Sequence, residues 1–249
     1  QIYTLSLHDA LPISQTLFMD LLKERAETGR IYIMNIDHCN THSSFKDKVY
    51  MSNLCQEITL PTTPINHIDD PDGEIALCIL SAINLGLIKE KDELKDLCDL
   101  SVRALEEIID YQEYPVEAAK KSTLARRSLG IGYIGLAHYL AKNKVKYNDK
   151  EAWKLVDEVT EAFQYYLLKA SNDLAKERGA CEYFNKTKYS DGILPLDTYK
   201  KDVDNIVKRK LSYDWTAIRQ DIKKHGLRHS TLSAQMPSES SSVVSNATN

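Results

Sequence analysis

No CxxC pair occurs in this sequence, and its five cysteines, at positions 39, 55, 78, 98 and 181, are widely spread and odd in number. That excludes the dense, even pattern of a disulfide-stapled secreted domain. His38, Cys39 and His42 lack a second cysteine at zinc-finger spacing, so no metal site is expected. A reducing compartment, the cytoplasm, suits such a chain, and a cysteine used chemically there works as a thiol that cycles. No apolar run approaches the roughly 18 residues of a membrane span; the longest candidates, such as Ile75 to Leu80, are strand-sized. No Lys/Arg block dominates and the formal net charge is −4, which gives no support for a nucleic-acid partner. The opening QIYTLSLHDALPI has no charged segment followed by an apolar core, and is not a signal peptide.

What is present is ordinary globular material: 249 residues, 43% hydrophobic and 27% charged, enough to bury a full core. The first 14 residues resemble translated sequencing-adapter read-through and are set apart from the fold. Leu17, Phe18, Leu21 and Leu22 share a helical face over 16–27, and Gly29 stops that helix. Strands are expected at Ile31–Ile36, at Glu74–Leu80 and at Leu227–Met236, with extended chain from Asn53 to Leu60. Helices are expected where Leu94, Leu97, Cys98, Ser101, Leu105 and Ile108 form one face, over Val116–Lys142 with an interruption near Gly130, Gly132 and Gly135, and over Glu151–Glu177 and Asp214–Lys224. A further helix opens at Pro237-Ser238. Strands separated by helices define an α/β class with parallel or mixed pairing. The terminal SESSSVVSNATN has no helix finish and reads as an interrupted chain.

Three constellations could carry chemistry. In extended chain, residues i, i+2 and i+4 share a side, so Asn53, Cys55 and Glu57 would align an amide, a thiol and a carboxylate. Alternation alone favours the plainer reading, a solvent-facing polar side with a stray cysteine. Cys78, inside GEIALCILSAINLG, reads on its own as a small core hydrophobe. Met236-Pro237-Ser238-Glu239-Ser240-Ser241-Ser242 sits at a strand-to-helix junction, where free N–H groups and hydroxyls suit an anion. An ordinary serine N-cap is the simpler account of it.

The segments GRIYIMNIDHCNTH, SNLCQEITLPT, GEIALCILSAINLG, YYLLKASNDLAKERGACEYFN, GILPLDTYKKD and GLRHSTLSAQMPSESSSVVSNATN, in this order, resemble the catalytic large subunit of class I ribonucleotide reductases. The resemblance covers nearly everything after the opening stretch. It implies that residues 15–249 are part of a ten-stranded α/β barrel, incomplete at both ends, and that the Asn-x-Cys-x-Glu segment is a loop threaded through it. Cys55 is then the thiyl-radical site that removes the ribose 3′ hydrogen, Glu57 the general base at the 3′ hydroxyl, and Asn53 a hydrogen-bonding partner of the substrate's hydroxyls. Cys78 matches the downstream redox cysteine, whose upstream partner has no counterpart here; Cys39, Cys98 and Cys181 read as structural. Glu239, Ser240 and Ser241 match the loop that holds the substrate diphosphate, Glu239 through its backbone N–H.

The implied activity is reduction of ribonucleoside diphosphates to deoxyribonucleotides. No cofactor is expected in this stretch: the radical comes from a metal-tyrosyl centre in a small subunit, and ATP or deoxynucleotide effectors bind elsewhere. Implied partners are the nucleotide substrate, the small subunit, thioredoxin or glutaredoxin, and a second large subunit. The chain alone is expected to be inactive. Cobalamin-dependent reductases share the Asn-x-Cys-x-Glu arrangement, although Pro-Ser-Glu-Ser-Ser looks like class Ia; Glu57 argues against the glycyl-radical enzymes. The rival from another class is a non-catalytic helical binding domain.

Overall fold

The computed structural model describes residues 7–249, which part into two compact units between Asn35 and Ile36. The first unit holds one helix, α1 (Leu7–Thr28), ended by Gly29 at φ +66°, the left-handed position that suits glycine. Helix α1 begins earlier than the apolar pattern indicated and includes part of the stretch set apart as adapter-like; residues 1–6 of that stretch lie outside the described residues. The strand expected at Ile31–Ile36 is not formed. Residues 30–35 are irregular, and Ile36 instead opens α2 (Ile36–His42). A β-branched run becomes a strand only where a neighbour takes its backbone groups.

In the second unit a parallel sheet is layered against helices. Strand β1 (Ile79–Asn84) is followed by α3 (Glu93–Tyr111) and α4 (Glu117–Arg126) before β2 (Leu129–Ile134) returns beside it. Ile79 stands opposite Leu129 and the register continues to Asn84 and Ile134. Then come α5 (Leu136–Lys142), α6 (Lys150–Arg178), α7 (Pro195–Thr198) and α8 (Trp215–His225). Extended residues 231–236 pair in parallel with β2: Leu129 N–H donates to Thr231 O (3.1 Å), Ile131 N–H to Leu232 O (2.8 Å), and Ala234 N–H to Ile131 O (3.2 Å). Helix α9 (Glu239–Val244) follows at once.

Three expectations are corrected here. The stretch Val116–Lys142 is not one interrupted helix but helix, strand, helix, because Gly130 and Gly132 belong to a sheet that packs too tightly for side chains. A Cβ on Gly132 would lie 2.5 Å from the Ala234 carbonyl oxygen, so glycine is what lets the neighbouring chain close. Glu74–Leu80 is not paired as a strand throughout; Glu74 forms a lone antiparallel bridge with Thr63, and ladder pairing starts at Ile79. Helix α3 is turned slightly from the predicted face: Leu94, Cys98 and Leu105 are buried, but Ile108 is 43% exposed while Ile109 is fully buried. Val102 and Ile109 complete the stripe, which packs on Val159, Phe163 and Leu167 of α6.

Helices α6 and α8 form where expected. Asp214 caps α8 by accepting from Ala217 N–H at 2.9 Å, and Gly226 (φ +80°) follows its last residue. None of the described helices is long and apolar enough to cross a membrane.

Candidate functional site

Residues 53–58 form a closed turn rather than extended chain, which corrects the same-side alignment of Asn53, Cys55 and Glu57. Asn53 N–H donates to Ile58 O (3.3 Å), Gln56 N–H to Asn53 O (3.2 Å), and Ile58 N–H to the Asn53 side-chain oxygen (3.4 Å). Gln56 takes φ +59°, uncommon for a residue with a Cβ, and this reverses the chain. Asn53 therefore staples the base of the turn, and Leu54 (83% exposed) and Cys55 stand exposed at its tip. The turn is carried on Ile58, which is buried; its Cδ1 lies 3.9 Å from where a Gly130 Cβ would be. Ile58 thus packs the turn against β2 at Gly130.

Glu57 faces inward from that turn. One of its carboxylate oxygens, Oε2, is buried with no hydrogen-bond partner, as is the hydroxyl of Ser43. Both residues line a cavity of about 230 Å³, together with Thr59, Lys188, Thr231 and Ser233. A second cavity of about 330 Å³ shares Glu57 and Ser233 and is walled by Tyr133 and Gln164. There Ser233 Oγ donates to Gln164 Oε1 at 2.7 Å, and the Gln164 amide nitrogen has no partner. Buried polar groups are nearly always hydrogen-bonded, so the unpaired ones lining these cavities mark where a further hydrogen-bonding partner fits.

Cys78 is half-buried just before β1 and shares a small cavity of about 100 Å³ with Asn53, Ser52 and Ile58. Burial pushes its thiol pKa up, and the negative charge of Glu57 pushes it further. Asn53 and Cys78 thus share one cavity, and the charge of Glu57 reaches Cys78 from the neighbouring ones. Cys98 and Cys181 are buried in the core and held up at about 12 by desolvation, which fits structural thiols.

Glu239, Ser240 and Ser241 make the first turn of α9 and are exposed. The serine N-cap expected there is not formed: the Ser238 hydroxyl donates to Asn249 Oδ1 (2.9 Å) instead of taking up the helix's own N–H groups. The turn lies where the chain leaves 231–236, at the carboxyl end of the parallel strands, the end at which open α/β sheets bind ligands.

Two buried ionic clusters escaped the sequence reading. Arg126, the last residue of α4, donates through Nε to Glu74 Oε2 and through Nη2 to Asp47 Oδ2, both at 2.8 Å. The next residue, Arg127, adopts the left-handed cap conformation (φ 49°) and donates to Glu106 Oε2 (2.8 Å) and Asp110 Oδ2 (2.6 Å). Glu106, fully buried, also receives Arg228 Nε (2.6 Å) and lies 3.1 Å from His229 Nε2. Its carboxyl is pushed up by burial, but bonds from His229, Arg127 and Arg228 outweigh this and hold it at about 2. Burial holds His229 below the usual histidine range; neutral, it donates from Nε2 to Glu106 and accepts the Ser171 hydroxyl at Nδ1 (2.9 Å). One signal in the sequence could have found Glu106: it interrupts the apolar stripe four residues after Val102 and three before Ile109. Among the described residues no group of three or more His, Cys, Asp or Glu is arranged to hold a metal ion.

A parallel sheet with covering helices, with a cysteine-bearing turn packed on it near a second thiol and an unpaired carboxylate, defines an α/β domain. The chain belongs to the ribonucleotide reductase barrel-domain family, whose model matches residues 12–249. It is 62% identical over 236 residues to the ribonucleoside-diphosphate reductase subunit alpha of Haemophilus influenzae. It is 60% identical over 236 residues to the ribonucleoside-diphosphate reductase 1 subunit alpha of Escherichia coli K12. To the subunit alpha of enterobacteria phage T4 it is 46% identical over 241 residues. These alignments cover 94%, 94% and 95% of this chain but 31% of each relative, so the chain spans about a third of the curated relatives it matches. The expected fold class, part of the reductase α/β barrel, holds, with the sheet open among the described residues.

Proposed function

We propose that this chain is the part of a ribonucleoside-diphosphate reductase large subunit that carries its reactive loop, and that in the whole protein it reduces ribonucleoside diphosphates to deoxyribonucleotides. The observation that carries the reading is the Asn53–Ile58 turn, with Cys55 at its tip and the unpartnered Glu57 carboxylate beside Cys78. Cys55, as a thiyl radical, removes the ribose 3′ hydrogen, and its oxidising equivalent comes from the small subunit that the name "subunit alpha" implies. Glu57 takes the 3′ hydroxyl proton while the 2′ hydroxyl leaves as water. Asn53 hydrogen-bonds the substrate's hydroxyls. Two electrons and two protons come from Cys78 and a second thiol, which end as a disulfide restored by thioredoxin-type exchange. Glu239, Ser240 and Ser241 receive the diphosphate at the strand ends. Partners are thus the nucleotide, the small subunit, a dithiol reductant and a second large subunit, in a reducing cytoplasm. The similarity to subunits alpha lends no support to the cobalamin-dependent alternative, and the parallel sheet is at odds with a helical binding domain.

The test uses the full-length subunit with its small subunit and a 3′-deuterated ribonucleoside diphosphate. Cys55→Ala is expected to abolish deoxynucleotide formation without weakening nucleotide binding, and the parent enzyme to show a deuterium effect. Deoxynucleotide made by Cys55→Ala at the parent rate sinks the assignment.

A further inference from the structure

Residues 48–73, which include Cys55 and Glu57, contain neither helix nor ladder-paired strand. A segment of that kind has few backbone bonds of its own to hold a side chain in place, yet both of its ends meet one side chain. Arg126 is 3% exposed and its guanidinium spans Asp47, six residues before Asn53, and Glu74, four residues before Cys78. The face of the same group lies 5.0 Å from the centre of the Tyr183 ring. Helix α4 holds the returning leg at two further points: Ala118 O accepts from Ile75 N–H (3.1 Å) and Lys121 Nζ donates to Pro71 O (2.7 Å).

The geometry points to Arg126 as a positioning residue for the proposed reduction: one buried guanidinium ties together both legs of the loop that carries Cys55 and Glu57 and leads into Cys78. This rests on the reading of those residues given above. The fork shape of arginine suits the task, since it offers separate N–H groups to two carboxylates at fixed angles, whereas an ammonium is a single point charge. A shift of about 1 Å in a reacting group, caused by a change away from the chemistry, can cost on the order of 10²-fold in rate. A cluster that only stabilises the fold would set no such requirement.

The experiment uses the full-length subunit with its small subunit, reading kcat, KM and thermal midpoint together. The triple variant Asp47→Asn, Glu74→Gln, Arg126→Met removes all three charges at once, so no ion is left buried alone. Arg126→Lys keeps the charge and loses the fork, which leaves a second variant should the triple one fail to fold. The expected result is a kcat lower by on the order of 10²-fold at little-changed KM in folded protein, with faster hydrogen exchange at amides 53–58 and none at α6. An unchanged kcat per folded molecule in Arg126→Lys or the triple variant overturns the proposal. Cys55→Ser and Glu57→Gln run alongside. If they lose activity while the Arg126 variants keep it, the positioning role alone fails; if they keep activity, the functional reading beneath it fails as well.

Discussion

Glu57 and Cys78 are electrostatically coupled: burial raises the Cys78 thiol, and the Glu57 carboxylate raises it again. At neutral pH Cys78 therefore stays a thiol, the form that its proposed role as a reductant requires. Replacing Glu57 with glutamine should lower the Cys78 pKa, since a negative neighbour disfavours the thiolate. Iodoacetamide labelling of Cys78 across pH, followed by mass spectrometry, should show its inflection moving down in Glu57→Gln. An inflection that stays put would mean the two side chains do not sense each other. In the full-length enzyme the same substitution should lower kcat by about 10²–10⁴-fold, the usual cost of losing a general base.

The five thiols should react in an order set by exposure. Cys55 is exposed and should be alkylated first; Cys98 and Cys181, buried and held up at about 12, should remain unmodified in native protein near pH 8. Peptide mapping of partly labelled protein reads this directly. Early labelling of Cys98 would contradict its place between α3 and α6.

Gly132→Ala should destabilise the sheet by about 1–3 kcal/mol, because the new methyl meets the Ala234 carbonyl at 2.5 Å and backbone has to move. Gly130→Ala should cost less, since its nearest contact, also at 2.5 Å, is the Leu80 Cδ2, the end of a side chain that can turn away. Urea denaturation of the two variants should rank them in that order; equal midpoints would count against the close approach of 231–236 to β2.

Acid should weaken the fold through the Glu106 cluster. Glu106 and His229 both have pKa values depressed in the folded state, so the unfolded chain binds more protons and stability falls as pH falls. The contribution is complete above the ordinary histidine value of 6.5 and is lost progressively down to about 2. The urea midpoint should decline across that range, and Glu106→Gln, which leaves buried arginines short of a charge, should cost about 3–5 kcal/mol at neutral pH. A midpoint constant from pH 6.5 to pH 3 would refute the linkage.

Helices α6 and α8 were legible because each has a long apolar stripe and a clear stop, Gly179 and Gly226. Strand β2 was hidden because Gly130 and Gly132 look like helix breaks unless the chain at 231–236, a hundred residues on, is already in view. The turn at Asn53 is not legible in the sequence for a related reason: its reversal depends on Gln56 in the left-handed region, and glutamine announces no such turn. The chemistry proposed for Cys55 and Glu57 comes from the family resemblance, not from residue types alone, and their alignment on one side of a strand is not the geometry found. Arg126 is not legible because its partners lie 52 and 79 residues away, and Glu106 shows only as a break in an apolar stripe, with partners from 21 to 123 residues away.

The parallel pairing of β2 with 231–236 has a consequence for how the protein is made. A chain emerging at about 5–20 residues per second takes about 5–20 seconds to deliver the hundred or so residues between these two strands. Through that interval one side of β2 has no partner, while its glycines, Leu129 and Ile131 are already synthesised. Until residues 231–236 emerge, the unpaired side of β2 can recruit a neighbour on the same polysome. Codon choice or chaperone capture between Ile134 and Thr231 should affect yield more than the same change placed after Met236.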